Sequence, residues 1–230
     1  MQPDIKSETL IDIPLGQALV ENGVITQAEL DKVLLVQKHS KNEYLGEILL
    51  YLGVSQSKIN ETLDYLNKRK RIGDILINME LISPEDLEEA LKEQKTIHSK
   101  MGIQVPLGIL LHKMGFIYYR EYMRALSKHF VLPIISLEDY EILPSLQDLL
   151  GKRFIFEHQV LVLKSDGQKI KIALGEPTPS LMQKIRKLIP SHQEIIFYLA
   201  HPLEIESVHN LLLSKQIKTQ NPAFFEETGL

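Results

Sequence analysis

Cysteine and tryptophan are absent from this chain of 230 residues. Without cysteine the chain has no disulfide bonds and no thiolate nucleophiles or metal ligands. No apolar run approaches the ~18 residues that cross a bilayer, and residues 1–12 lack the apolar core of a signal peptide. The net charge of -4 provides no overall positive field for nucleic acid. These absences predict a cytoplasmic protein without direct membrane insertion and without a nucleic-acid polymer as partner.

Catalytic and metal-binding motifs are also missing from the sequence. There is no Gly-x-x-x-x-Gly-Lys-Ser/Thr loop to hold nucleotide phosphates and no Gly-x-Ser-x-Gly nucleophile turn. The eight histidines are scattered, without the paired or i,i+4 spacing of metal ligands. We therefore predict a protein that is not an enzyme and holds neither a metal nor a cofactor.

The sequence does contain a short segment that is repeated four times. Each copy opens with Leu-Gly or Ile-Gly and continues with an apolar stretch of helical spacing. The copies begin at Leu15-Gly16, Leu45-Gly46, Ile72-Gly73 and Leu107-Gly108. Three of these stretches end at a glycine, which is the usual left-handed residue after a helix. The third has Glu80 at that place, so its helix should end differently or with some strain.

A second helix is predicted in each copy. Thr26 with Glu29, and Ser83 with Asp86, have the spacing of helix-capping boxes. Each hairpin of two short helices is too short to be stable alone, so the hairpins must pack on one another. Residues 13–130 are thus predicted to form eight helices in four tandem hairpins, grouped as two pairs over 14–67 and 71–129.

The periodicity changes after His129. Two β-rich runs flank an Asp166-Gly167 turn and predict a β-hairpin, and a helix, a strand and a last helix follow. A further helical pattern covers residues 140–150, and 130–135 is rich in β-formers. We predict an α+β protein in which the four helical-hairpin repeats precede a small α/β domain at 131–213. Residues 1–12 and 214–230 are predicted to be terminal tails.

The third copy carries a recognisable motif. Arg71-Ile72-Gly73-x-x-Leu76, followed by Leu87, Leu91 and Gln94, resembles the MshEN cyclic di-GMP motif. That motif occurs as a tandem pair in the N-terminal domain of type II secretion and type IV pilus assembly ATPases. The downstream stretch, including Leu174-Gly175-Glu176-Pro177, is similar to the α/β part of the same domain. The resemblance covers residues 13–213 and, with no P-loop present, implies the regulatory domain standing alone without the ATPase domain.

The resemblance implies cyclic di-GMP as the candidate ligand. Arginine can stack on guanine and donate two hydrogen bonds to phosphate, and glutamine offers guanine both a donor and an acceptor. A Leu-Gly helix start presents free backbone N–H groups to an anion. The candidate ligand-binding residues are Arg71, Ile72, Gly73, Leu76, Gln94, Leu107, Gly108, Leu15, Gly16 and Gln37.

The copies keep this motif unevenly. Pro14, Tyr44 and Pro106 stand at the arginine position of the other copies, and His129 stands at the glutamine position of the fourth. The alternative interpretation is that Leu, Gly and Gln serve helix packing only. The basic run Lys68-Arg69-Lys70-Arg71 similarly suits either a phosphate or acidic partner, or a solvated linker.

Two functional hypotheses follow from the sequence. The first is a regulatory module that senses cyclic di-GMP and passes its state to a cytoplasmic or membrane-anchored component of a secretion or pilus machine. The second is a pure protein–protein interaction adaptor with degenerate nucleotide motifs. An enzyme is the third class and the least supported.

Overall fold

A computed structural model describes residues 13–40 and 43–220, which form two compact units that divide between Leu132 and Pro133. We call them the helical unit and the C-terminal unit. Within the described ranges, no helix combines the length and the apolarity that a bilayer crossing demands. The predicted tail at 1–12, and residues 221–230 of the predicted tail at 214–230, lie outside the described residues.

The helical unit alternates short and longer helices. The short helices have seven residues each and begin at the Leu-Gly or Ile-Gly positions. The eight helices run α1 Leu15–Glu21, α2 Gln27–His39, α3 Leu45–Tyr51, α4 Gln56–Tyr65, α5 Ile72–Asn78, α6 Pro84–Met101, α7 Leu107–Lys113 and α8 Tyr119–Phe130. Both predicted capping boxes are present, at Thr26 with Glu29 and at Ser83 with Asp86.

The helices pack in a crossed order within each pair of copies. In the first pair α1 contacts α4 while α2 contacts α3, and in the second pair α5 contacts α8 while α6 contacts α7. One leucine at the same place in each short helix is fully buried: Leu19, Leu49, Leu76 and Leu111. Full burial of such a side chain contributes about 1.5–3 kcal/mol, which stabilises helices too short to form alone.

The glycine of each helix start is needed for close packing. In the third copy, a Cβ at Gly73 would lie 2.9 Å from Leu87 on α6. In the fourth, a Cβ at Gly108 would overlap the ring of Tyr122 on α8. In these two copies, a side chain at this glycine would therefore require the facing residue of the second helix to move.

The end of the third short helix is strained. Gly23, Gly53 and Gly115 have φ of 65°, 86° and 80°, and Glu80 takes the same left-handed conformation with φ of 57°. The sequence predicted that this helix would end either differently from the others or with strain. It ends with strain, because the turn into α6 needs the same backbone geometry as in the other copies.

The C-terminal unit holds a three-stranded sheet in the order β1-β2-β3. Strands β1 (Val160–Ser165) and β2 (Lys169–Leu174) form the expected antiparallel hairpin, and β3 (Glu194–Leu199) lies parallel to β2. Helix α11 (Pro179–Leu188) connects β2 to β3, and α12 (Pro202–Gln220) follows. The α+β fold class is confirmed.

The structure differs from the sequence analysis at four places in this half of the chain. Residues 130–135 contribute only a bridge between Ile134 and Leu199, because Phe130 completes α8. The helical pattern at 140–150 yields the short α9 (Pro144–Gln147), preceded by a 3₁₀ turn at Leu137–Asp139. Helix α10 (Lys152–His158) was missed. Helix α12 continues through 214–220, where no glycine or proline stops it, so the tail does not begin at 214.

Candidate functional site

A cavity of about 260 Å³ lies inside the helical unit. Six of its lining residues belong to the first two copies and stand at motif positions of those copies: Leu15, Gln37, Tyr44, Leu45, Gly46 and Leu63. The others are Glu47, the linker residues Lys68, Arg69 and Lys70, and Lys128, His129 and Val131 at the end of α8. We call this space the first-pair cavity.

Only two of the predicted site residues line this cavity. Leu15 and Gln37 are brought together with the start of α3. Outside the lining lie Gly16, Arg71, Ile72, Gly73, Leu76, Gln94, Leu107 and Gly108. Of these, Gly16, Gly73, Leu76 and Gly108 are buried in the packing of the short helices.

Arg71, the only arginine at the motif's first position, is exposed at the start of α5. Within residues 13–40 and 43–220, its guanidinium has no hydrogen bond or ion pair. The structure thus separates this arginine from the cavity that its neighbours Lys68, Arg69 and Lys70 line.

The terminal residue of three copies makes one recurring contact. Gln37 Nε2 donates to the carbonyl oxygen of Glu43 (3.4 Å), and Gln94 Nε2 donates to that of Val105 (2.6 Å). Both carbonyls immediately precede the next copy. His129 Nδ1 lies 2.7 Å from the carbonyl oxygen of Lys70, which precedes the third copy. The Gln position therefore fixes the chain entering a short helix, as the packing interpretation requires.

The cavity is rich in positive charge. Lys128 Nζ forms an ion pair with Glu47 Oε2 at 2.7 Å, and both side chains are largely buried. Arg69 Nε forms an ion pair with Asp64 at 2.7 Å. Lys68 and Lys70 have no carboxylate partner within the part of the chain that the structure describes. The lining thus carries more ammonium and guanidinium groups than carboxylates, which favours an anionic ligand.

Tyr44 lies at the centre of this positive charge. Lys70 Nζ is 4.5 Å and Lys128 Nζ is 5.1 Å from the centre of its ring. Cation–π contacts of this kind hold ammonium groups beside an aromatic face. The Tyr44 hydroxyl is buried and, among the described residues, has no hydrogen-bond partner. A ligand in the cavity could supply that partner, since an unpaired buried hydroxyl costs about 1–3 kcal/mol.

A polar network anchors the linker beside the cavity. The Arg69 guanidinium donates to the carbonyl oxygen of His129 (2.6 Å) and to Oδ1 of Asn60 (2.9 Å). Gln56, which is buried, donates from Nε2 to the carbonyl oxygen of Val131 at 3.1 Å. The guanidinium of Arg69 is thus engaged in hydrogen bonds within the protein, whereas the ammonium group of Lys70 remains available to a ligand.

The pKa of His129 lies below the ordinary histidine value, which favours the neutral ring. Its burial lowers the pKa of the imidazole, the bond to the Lys70 carbonyl opposes that effect, and the charge of Arg69 lowers the pKa further. Because a carbonyl oxygen only accepts, Nδ1 carries the proton and Nε2 is free to accept.

Sequence reasoning missed Tyr44 and Lys128 as candidate site residues, and considered Lys70 only as part of the basic run 68–71. Tyr44 was treated only as a replacement of the motif's arginine, since the residues beside it in the sequence include Glu43 and Glu47 and do not indicate an anion site. Lys70 and Lys128 are far apart in sequence, and only the fold of the helical unit brings them together. Among the described residues, no group of three or more histidines and carboxylates is placed to hold a metal ion.

Comparison with known proteins places the chain in a family context. Residues 130–216 match the MshEN domain family. The type IV pilus assembly ATPase PilB of Myxococcus xanthus (strain DK1622) is 30% identical over 108 residues, which are 47% of this chain and 18% of that protein. The solved structure of MshE with cdg has a TM-score of 0.55 at 24% identity, covering 63% of this chain and 99% of that chain.

These matches differ in what they show. The MshE structure shows a shared fold. The chain aligns with only 18% of the length of PilB, and the match is to a non-catalytic N-terminal module rather than to an ATPase domain. The family match begins at residue 130, so the assignment of the helical repeats to a ligand motif stays a prediction. Residues 130–216 of this chain are therefore similar to the MshEN domain, and part of the chain is similar to a type IV pilus assembly ATPase.

Proposed function

We propose that this protein is a non-enzymatic regulatory module that binds cyclic di-GMP in the first-pair cavity of its helical unit. The observation that carries the proposal is the lining of the cavity, in which motif positions of two successive copies meet a cluster of basic side chains. In this proposal the helical unit consists of four tandem copies of one hairpin, and the first pair is the one that holds the ligand.

The chemistry of the lining suits a guanine nucleotide. Lys68 and Lys70, which have no carboxylate partner among the described residues, can neutralise phosphate. The Tyr44 ring with Leu15, Leu45 and Leu63 offers apolar surface to a base. The carboxamide oxygen of Gln37 can accept from a guanine edge while its nitrogen keeps the bond to Glu43. Tyr44 and the lysines thus take over the stacking and phosphate-binding roles of the missing arginine.

The size of the cavity limits how much ligand it can hold. At about 260 Å³ it is below the ~300–1,000 Å³ typical of sites that enclose a whole small molecule. We therefore infer that one guanylate half enters the cavity and the other half lies against its rim. Such a half-site arrangement agrees with a motif that occurs in pairs.

The related proteins support this proposal indirectly. MshE was solved with cyclic di-GMP, and PilB is a type IV pilus assembly ATPase. By analogy, ligand binding in this protein would bias its contact with a component of a pilus or secretion machine. That partner would lie in the cytoplasm or be anchored in the membrane.

The test is isothermal titration with cyclic di-GMP of the wild-type protein and three variants. We expect saturable binding at micromolar Kd or tighter, about -8 kcal/mol. Tyr44→Ala should abolish it, because it removes the ring beside both lysines. Tyr51→Ala, a matched change of a tyrosine that is 83% exposed, should leave it intact. Arg71→Ala should also retain binding, because Arg71 does not line the cavity.

Other results would point elsewhere. Loss of binding in Arg71→Ala but not in Tyr44→Ala would move the site to the third copy. No heat and no change in melting temperature at high ligand concentration would favour the adaptor function. That second candidate has its own support, since Gln94 and Gly73 are already engaged in packing.

A further inference from the structure

The first-pair cavity is lined by a histidine, His129, at a position where the motif usually has glutamine. This histidine stands at the terminal position of the fourth copy, where the first and third copies have Gln37 and Gln94. Its ring makes a corresponding bond to a carbonyl that precedes a short helix, in this case the carbonyl of Lys70 before the third copy. Unlike glutamine, imidazole can gain a proton near neutral pH.

The surroundings of His129 are mostly cationic. The charged and titratable groups that line the cavity with His129, or act on its pKa, come from α3 and its start, from α4, from the linker and from α8 itself. They are Tyr44 and Glu47, Asp64, the linker residues Lys68, Arg69 and Lys70, and Lys128. Glu47 and Asp64 are each already paired with a cation, Lys128 and Arg69 respectively. A proton on His129 therefore adds to an excess of positive charge while the cavity is empty.

We propose that His129 takes up a proton when an anionic ligand enters the first-pair cavity, so that the ligand binds more tightly in mildly acidic solution. The inference rests on the proposed function for the identity of the ligand, but the coupling belongs to the histidine. A phosphate beside the ring compensates the cations that disfavour the imidazolium. Nε2, which is free to accept in the neutral ring, becomes a second donor and can bond to the anion.

The direction of the effect follows from linkage. In the empty protein burial depresses the pKa of His129, and a bound anion raises it. Affinity then increases as the pH falls through the range between the two values and levels off below it. The phosphodiester and guanine groups of cyclic di-GMP do not titrate in this range, so any pH dependence belongs to the protein. A one-unit rise in pKa corresponds to about tenfold tighter binding by the protonated form.

The experiment measures the Kd for cyclic di-GMP at about pH 5.5 and pH 8, for the wild type and two variants. His129→Gln restores the residue that the first and third copies use, so it keeps the bond to Lys70 and removes the titrating group. His39→Gln is the matched control, since His39 is exposed and bonds the carbonyl of Leu35 in its own helix. Titrations in buffers of different ionisation enthalpy count the protons taken up.

We expect the wild type and His39→Gln to bind up to about tenfold tighter at the lower pH with proton uptake, and His129→Gln to bind equally at both. Binding that is independent of pH in the wild type, or that keeps its pH dependence in His129→Gln, would overturn the coupling and leave the proposed function standing. Absence of binding at both pH values in all three proteins would overturn the proposed function together with this inference. Unchanged circular dichroism of His129→Gln would show that the fold is retained.

Discussion

At the scale of single residues, the repeat positions serve packing first. The glycines occupy crossing points, and Gln94 is held by the carbonyl of Val105. The sequence alone could identify these residues as special, because their spacing recurs. It could not decide between packing and ligand binding, because the same small size and amide group suit both. The structure adds the distinction through the partner of each side chain.

Glu80 offers a test of local strain. Its φ of 57° is costly for any residue with a Cβ, whereas glycine takes it freely. We expect Glu80→Gly to raise the free energy of unfolding by up to about 1 kcal/mol, after the greater flexibility of glycine in the unfolded chain is deducted. Denaturant titration measures this.

The control for this change is the same substitution in an ordinary helical position. Glu88 is exposed within α6, so Glu88→Gly should lower the free energy of unfolding by about 0.5–1 kcal/mol. Opposite signs for the two variants would verify the strain. A loss of stability in Glu80→Gly would mean that this residue makes a contact that outweighs its backbone conformation.

At the scale of secondary structure, short periodic patterns were the more reliable guide. The seven-residue helices begin at the positions that the sequence indicated, because the Leu-Gly pattern and the following glycine are local signals. The helix predicted over 140–150 is shorter than expected, because a residue near the end of that segment hydrogen-bonds to a strand distant in sequence. Gln147, which is 1% exposed, directs its amide to β1.

Gln147 takes the place of a neighbouring strand at the edge of the sheet. Its Nε2 donates to the carbonyl oxygen of Val162 (2.8 Å), and its Oε1 accepts from the Val162 N–H (3.0 Å). We expect Gln147→Leu to lower the free energy of unfolding by roughly 2–6 kcal/mol, because two buried backbone groups lose their partners at about 1–3 kcal/mol each. Thermal and denaturant unfolding measure the loss.

Gln183→Leu is the matched control for this element. Gln183 is exposed on α11, and the same change there should stay within about 0.5 kcal/mol of the wild type. Equal stabilities for Gln147→Leu and the wild type would show that the amide does not hold the strand edge.

At the scale of the whole molecule, the cavity could not have been predicted from the sequence. Its lining draws on the first two copies, the linker before the third and the end of the fourth. A repeat analysis compares each copy with the others and looks for the site in the copy that best keeps the motif, which here is the third. The cavity forms instead where copies with altered motifs meet basic residues distant in sequence.

One histidine in each unit predicts a sensitivity of the fold to acid. His129 in the helical unit and His209 in the C-terminal unit both have their pKa lowered, chiefly by burial, while a bond to a backbone carbonyl opposes the shift. The folded protein therefore binds fewer protons than the unfolded chain between the depressed values and the ordinary histidine value near 6.5. The contribution of these two histidines to the free energy of unfolding is fully present above that value and decreases as the pH falls below it.

We expect the melting temperature in the absence of ligand to fall between pH 7.5 and about pH 5.5, a range in which carboxylates remain ionised. His129→Gln and His209→Gln should each remove part of the fall, and the double variant should remove most of it, because the two sites lie in different compact units and act independently. An equal fall in the double variant would assign the acid sensitivity to other groups. As the pH falls, the stability of the ligand-free protein is thus expected to decrease while its affinity for cyclic di-GMP increases. Melting curves with and without cyclic di-GMP should therefore diverge as the pH decreases.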